Sequence, residues 1–246
     1  MDAALFKLFE LETCSYCNRT CPTCLRNSHP DKQAVAPWFE QTFLPTETIH
    51  DLLGQLVRMG FQGPVCLQHY NEPLLDPRIA ELGRYAKGLK QFHHVFMCTS
   101  GDFIDEKRAA DLDGAFDELQ ISLYMNADVA RRRTDYLKAL FKKTLLSFTG
   151  GVHIPTHFSP SFPVLGFADA YRNRPCTLPQ KRLIINHRGE CLLCCDDLVG
   201  NFGLGNIRDH SLEELWFGER HQQIIRDLEV AGGRNKHPYC ASCPRP

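Results

Sequence analysis

Twelve of the 246 residues are cysteine, and ten of them fall into two groups. Cys14, Cys17, Cys21 and Cys24 lie near the N-terminus; Cys176, Cys191, Cys194, Cys195, Cys240 and Cys243 lie in the last third. Cys66 and Cys98 stand apart in apolar runs, where a small buried hydrophobe is the ordinary role. Cys17-Asn18-Arg19-Thr20-Cys21-Pro22-Thr23-Cys24 spaces three soft sulfur ligands along one tight loop. Three such thiolates can hold three irons of a cubane [4Fe–4S] cluster and leave the fourth iron open. An open coordination position is what separates a reactive metal site from a structural one. A zinc reading would pair Cys14 with Cys17 and Cys21 with Cys24, but common zinc sites separate their pairs by roughly 12 residues or more. Cys14 is therefore read as a bystander at a strand end.

The second group has a longer spacing. Cys176 and Cys194 flank Gly189, whose turn would bring them together, and Cys240 and Cys243 would return after a helix to complete four thiolates. Such a set closes either a second cubane or a structural zinc ribbon, and Cys191 and Cys195 are extra to it.

The intervening chain must position these groups. Strand-like runs at Leu5–Thr13, Pro64–Tyr70, His94–Thr99, Glu118–Tyr124 and Thr144–Phe148 alternate with helical patterns at 45–59, 76–90, 105–113 and 128–143. That alternation predicts an α/β fold of parallel strands with helices outside, a partial (β/α) barrel whose sites gather at the C-terminal strand ends. The cysteine loop, Asn71-Glu72-Pro73 and Thr99-Ser100-Gly101 all fall there. Three regions follow: 1–150 as the barrel, 151–175 as a Gly- and Pro-rich connector, and 176–246 as a small hairpin–helix iron–sulfur domain. In the last, Ser211 with Glu214 is a capping box opening one helix that runs to Gly232-Gly233.

Composition removes other classes. Lys+Arg 28 against Asp+Glu 29 leaves a formal charge of -1, without the basic excess that nucleic acid demands. Met1-Asp2-Ala3-Ala4 lacks the basic start of a secretory leader, and no apolar run is long enough for a membrane helix. A cytoplasmic protein is expected, with reduced thiols, no nucleic acid and no membrane partner. The basic residues Arg131, Arg132, Arg133, Lys138, Lys142 and Lys143 read as a solvated helix face.

The cysteine loop directly after the first strand of a βα series resembles the radical S-adenosylmethionine (SAM) superfamily. Tyr70-Asn71-Glu72-Pro73 stands where that family has Gly-Gly-Glu-Pro, and its last two residues match. The C-terminal segment is similar to the SPASM auxiliary-cluster domain in its shortened, twitch form. Its marks here are Cys194-Cys195-Asp196-Asp197, Leu204-Gly205-Asn206-Ile207 and Ser211-Leu212-Glu213-Glu214-Leu215-Trp216. The resemblance implies two [4Fe–4S] clusters, one binding SAM at Cys17, Cys21 and Cys24, one auxiliary at Cys176, Cys194, Cys240 and Cys243. It implies SAM contacts at Tyr70, Asn71, Glu72, Thr99, Ser100 and Ser122, with the Glu72 carboxylate accepting from the SAM ammonium. Thr23 stands where the family usually has an aromatic residue, so adenine packing would come from Tyr70 or the Ile154 region.

The implied reaction is reductive cleavage of SAM to a 5′-deoxyadenosyl radical, which removes a hydrogen atom from an unactivated C–H bond. Electron transfer to the auxiliary cluster would make the enzyme a dehydrogenase or cross-linking oxidase. Hydrogen return from Cys66, Cys98, Cys191 or Cys195 would make it an epimerase. The length, short middle and shortened tail resemble a small radical SAM dehydrogenase of aminoglycoside biosynthesis, in architecture and not visibly in substrate groups. A small carbohydrate- or cyclitol-like substrate is expected, with a ribosomal peptide as the alternative, and a one-electron reductant such as flavodoxin or ferredoxin as partner. The reading from another class is a non-catalytic zinc or iron–sulfur interaction module.

Overall fold

The computed structural model describes residues 4–22, 24–150 and 171–243. The elements of the first part are β1 (Leu8–Leu11), α1 (Leu25–Ser28), α2 (Thr46–Arg58), β2 (Val65–Cys66), α3 (Ile79–Gly88), β3 (Val95–Thr99), α4 (Glu106–Leu112), β4 (Glu118–Leu123), α5 (Ala127–Leu140) and β5 (Leu145–Gly150). The second part has β6 (Arg182–Ile185), β7 (Cys191–Leu192), α6 (Leu212–Phe217), α7 (Glu219–Leu228) and α8 (Pro238–Ala241). Among the described residues no helix is long and apolar enough to cross a membrane.

The strands form one seven-stranded sheet in the order β5-β4-β3-β2-β1-β6-β7. All neighbours are parallel except β6 and β7, and β5 and β7 do not meet. This open α/β sheet is the expected barrel fragment. The two faces follow from the period of two along a strand. Val95, Met97, Leu119, Ile121 and Leu123 are buried on the helix side. There they join Ile49, Leu52, Leu53 and Leu56 of α2, whose i, i+3, i+4, i+7 spacing makes one apolar stripe. Each such side chain contributes about 1.5–3 kcal/mol on burial. Phe96, Cys98, Glu118, Gln120 and Ser122 turn to the opposite face and are half-buried.

Three elements differ from the sequence reading, each for a visible reason. The strand expected over 64–70 is regular only at Val65–Cys66. Beyond it, backbone N–H groups find side-chain acceptors instead of a ladder: His69 N donates to Asn71 Oδ1 (3.1 Å) and Tyr70 N to Glu12 Oε1 (3.0 Å). The helix expected to reach Lys143 ends at Leu140, because the N–H groups of Lys142, Lys143 and Thr144 all donate to the Asp113 carboxylate. The single helix expected after Ser211 breaks at Gly218 into α6 and α7. The carbonyls freed there accept from His221 Nδ1 and Gln222 Nε2. The capping box of Ser211 and Glu214 forms as expected.

The C-terminal hairpin does not stand apart from the main sheet. β6 pairs along β1, so Leu183 and Ile185 enter the main core. Gly189 turns the hairpin at φ +80, and a Cβ there would meet Ile207 at 2.7 Å, so only glycine fits. Most of the expected connector, including Ile154, lies outside the described residues.

Candidate active site and metal centres

The ends of β1, β2 and β3 converge on Glu72. Its carboxylate, 2% exposed, accepts from Leu74 N (3.1 Å), Thr99 Oγ1 (2.5 Å), Ser100 N (2.8 Å) and Ser100 Oγ (2.7 Å). Its backbone N–H donates to the Tyr16 carbonyl at 2.9 Å, which ties the β2 end to the cysteine loop. A carboxylate offers about four acceptor positions, and all four are filled from within the chain. Glu72 therefore holds Thr99 and Ser100 in place. Asn71 Nδ2 donates to the Cys14 sulfur at 3.3 Å. Ser122 lies at the β4 end with its hydroxyl 3.0 Å from that of Thr149.

The loop of Cys17, Cys21 and Cys24 leaves β1 at this end of the sheet. Asp102, just past β3, pins it: Arg19 donates through Nε (2.7 Å) and Nη2 (2.5 Å), and Asn18 Nδ2 donates at 2.8 Å. Burial acts against the Asp102 carboxylate, yet these donors hold it below the usual carboxylate range. The three thiols are half-buried, and Cys24 lies within the field of both others. Burial pushes the Cys17 thiol up and the Cys24 thiol up to about 11. A bound cation reverses that cost, since a coordinating thiol is deprotonated outright. The donor set fits an iron–sulfur cluster with three protein ligands. Thr23 lies outside the described residues.

Cys14 stays apart from this set. It is buried, bridges in antiparallel fashion to Phe43, and burial pushes its thiol up to about 11.

The second group assembles from distant segments. Cys176, Cys194, Cys240 and Cys243 line one apolar pocket, with Tyr239 and Arg234 on its wall. Burial pushes the Cys194 thiol far up and the Cys240 thiol up to about 12. Four such thiolates serve either a tetrahedral zinc or a cubane, whose irons take one sulfur each. The residues present fit a closed four-thiolate cluster. Cys191 is excluded from the pocket; it sits in the main core, where burial pushes its thiol up to about 12.

One network joins the two sites, and the sequence did not reveal it. The fully buried Glu12 accepts from His187 Nδ1 (2.7 Å), His187 N (3.2 Å), Trp38 Nε1 (3.2 Å) and Tyr70 N (3.0 Å). Burial raises the Glu12 carboxyl, but the His187 hydrogen bond and charge bring it below its ordinary value. The Tyr70 hydroxyl donates to the Cys195 carbonyl at 2.6 Å, and that of Tyr239 to the Asp196 carbonyl. Tyr70 packs with Leu25, next to Cys24, and with Leu198. Glu12 and His187 are 175 positions apart, so no local pattern could pair them. Asn18 and Arg19, in contrast, were visible as the residues between two candidate ligands.

The spare thiols Cys66 and Cys98 sit on adjacent strands, Cys66 buried and donating to the Gln68 carbonyl at 3.5 Å, Cys98 half-buried. Cys98 donates to Gln120 Oε1 at 3.4 Å.

Residues 11–147 match the family model of the radical SAM superfamily, and residues 176–244 match SPASM, an iron–sulfur cluster-binding domain. The chain is 24% identical to the S-adenosyl-L-methionine-dependent 2-deoxy-scyllo-inosamine dehydrogenase of Niallia circulans, covering 97% of this chain and 93% of that protein. Its fold is similar to the crystal structure of BtrN in complex with AdoMet and 2-DOIA, with TM-score 0.77 and 21% identity, covering 100% of this chain and 95% of the other. It is also similar to SuiB of Streptococcus suis bound to S-adenosylmethionine, with TM-score 0.52 and 12% identity, covering 90% and 68%.

Proposed function

The chain belongs to the radical SAM superfamily, and on that premise we propose that it oxidises a small hydroxylated ring substrate, cyclitol-like or carbohydrate-like, by removing a hydrogen atom and one further electron, with the hydroxyl proton passing to solvent. It is an oxidoreductase-type enzyme, and its cofactors are SAM, the [4Fe–4S] cluster that binds it and an auxiliary iron–sulfur cluster. When bound, these groups supply one-electron reductive cleavage of SAM and an acceptor for the substrate electron.

The observation that carries the proposal is the closed pocket of Cys176, Cys194, Cys240 and Cys243. Four protein thiolates leave no iron open for substrate, which suits that cluster to electron acceptance. Cys17, Cys21 and Cys24 would hold the first cluster, and the pin of Arg19 to Asp102 would fix their loop over the strand ends. Thr99 and Ser100, held by Glu72, would orient the methionine and ribose parts of SAM, with Asn71 and Ser122 at the rim. The matched segments favour a division into a barrel over 1–150, a connector over 151–175 and an auxiliary-cluster domain over 176–246. A reducing compartment such as the cytoplasm suits the thiolate ligands, and a flavodoxin- or ferredoxin-type protein would deliver the electron.

The relatives support the substrate class by their own names: one acts on 2-deoxy-scyllo-inosamine, and BtrN was captured with 2-DOIA. A peptide substrate is the alternative. Epimerisation is a second reading, favoured by the free, half-buried Cys98 thiol on β3. Turnover of aminocyclitols in D2O by the reconstituted enzyme separates them. Oxidation yields 5′-deoxyadenosine with a carbonyl product and no deuterium at an inverted carbon. Deuterium at an inverted carbon, lost in Cys98→Ala, would replace the proposal by epimerisation.

A further inference from the structure

Arg26 is among the largest fully buried side chains, at 1% exposure, two residues past Cys24. Its Nη2 donates to the Trp38 carbonyl, and its guanidinium lies 5.1 Å from the centre of the Phe39 ring. Its Nε and Nη1 are buried and have no hydrogen-bond partner. A buried cation with unmet donors is costly, and an anion placed against it both meets the donors and balances the charge. Cys24 is the N-cap of α1 and Arg26 its second helical residue, so the guanidinium stem starts within one turn of the last thiol of the loop. An iron–sulfur cluster held by thiolates is anionic, its sulfurs accept hydrogen bonds, and nearby charge and hydrogen bonds set its potential.

We propose that Arg26 is the built-in charge partner of the first cluster, donating from Nε and Nη1 to its sulfur side and raising its reduction potential. A cation beside the cluster stabilises the reduced, more negative form. Arg26 is thus a tuning residue for the electron that SAM cleavage consumes. The inference rests on the assignment of Cys17, Cys21 and Cys24 as the cluster ligands. A second anion could meet the same donors, namely the carboxylate of SAM, and the experiment separates the two.

The test is a redox titration of the full-length, anaerobically reconstituted protein, followed by electron paramagnetic resonance in the absence of SAM. The signal that subsequent SAM addition perturbs identifies the first cluster; if the unsubstituted protein gives none, the family assignment of these ligands fails, and not the role of Arg26. Arg26→Met should shift the reduction equilibrium at least tenfold towards the oxidised form, about 59 mV more negative. Arg26→Lys, which keeps the charge, should restore most of it. A Met variant that titrates with the unsubstituted protein overturns the proposal, as does a shift seen only with SAM present. Should the Met variant hold no cluster, thermal unfolding of the full-length apo-protein decides. Without a cluster the unmet guanidinium is a burden, so apo Arg26→Met should melt at or above the unsubstituted apo-protein. A lower melting point would make Arg26 a structural residue and end the proposal.

Discussion

The two thiol sites are built in opposite ways. The first takes three ligands from eight consecutive residues, Cys17 to Cys24, at the end of one strand. The second takes four from three separated segments, which meet only when the hairpin, α7 and the tail have packed. The first is pinned from outside, through Asp102 and Glu72; the second is lined by core-like apolar side chains. Each has one fully buried arginine beside it, Arg26 or Arg234. The difference teaches a division of labour. On the proposed function, the site that would receive SAM is local and sits at the strand ends, and the site that would take up the substrate electron is closed by tertiary packing.

The strongest way to break this comparison is to remove ligands from each side. Cys21→Ala should lose about four irons and all 5′-deoxyadenosine formation. The double variant Cys240→Ala/Cys243→Ala should also lose about four irons, yet still cleave SAM while failing to oxidise substrate. Equal loss of cleavage in both, by product chromatography, would end the distinction.

The next largest effect concerns the network between the sites. Glu12→Gln turns a buried carboxylate that accepts four hydrogen bonds into a neutral amide, and losing a hydrogen bond to a charged group costs about 1.5–3 kcal/mol. Urea unfolding measures it; a loss below about 1 kcal/mol would mean that the two halves are not coupled through Glu12. The acid side follows from the sign of the shift. The folded Glu12 carboxyl lies below its unfolded value, so its contribution is full above the unfolded value and is lost as pH falls through the folded one.

His221 sharpens the contrast by acting on the C-terminal part alone. Burial holds it down to about 4, with Nδ1 bound to the Leu215 carbonyl. The unfolded chain takes up a proton near the ordinary histidine value, while the folded one does not. Stability should therefore be complete at pH 7 and fall by about 2 kcal/mol by pH 5. His221→Gln should flatten that slope in denaturant titrations; an unchanged slope would assign it to other groups.

The smallest expected effect is at Tyr70, whose hydroxyl fastens the auxiliary loop to the barrel. Tyr70→Phe keeps the ring and should cost about 1 kcal/mol. Amide exchange should quicken at residues 194–197 and not at residues 17–21. The reverse pattern would place the hydroxyl's influence at the first site.

The C-x3-C-x2-C spacing, the alternation of strands and helices, and the capping box of Ser211 and Glu214 were decided by the sequence itself, since each depends on neighbours within a few residues. The same local logic explains its errors: nothing near Gln68 announces that Glu12 would accept from the Tyr70 backbone, and nothing near Lys142 announces Asp113. Only the tertiary structure decided that β6 extends the sheet beside β1, that four distant thiols share one pocket, and that Glu72 has its acceptors filled. The reason is physical. Short-range spacing fixes backbone periodicity and loop chemistry, whereas the partner of a buried polar group is whatever the folded chain brings within 3 Å or so of it.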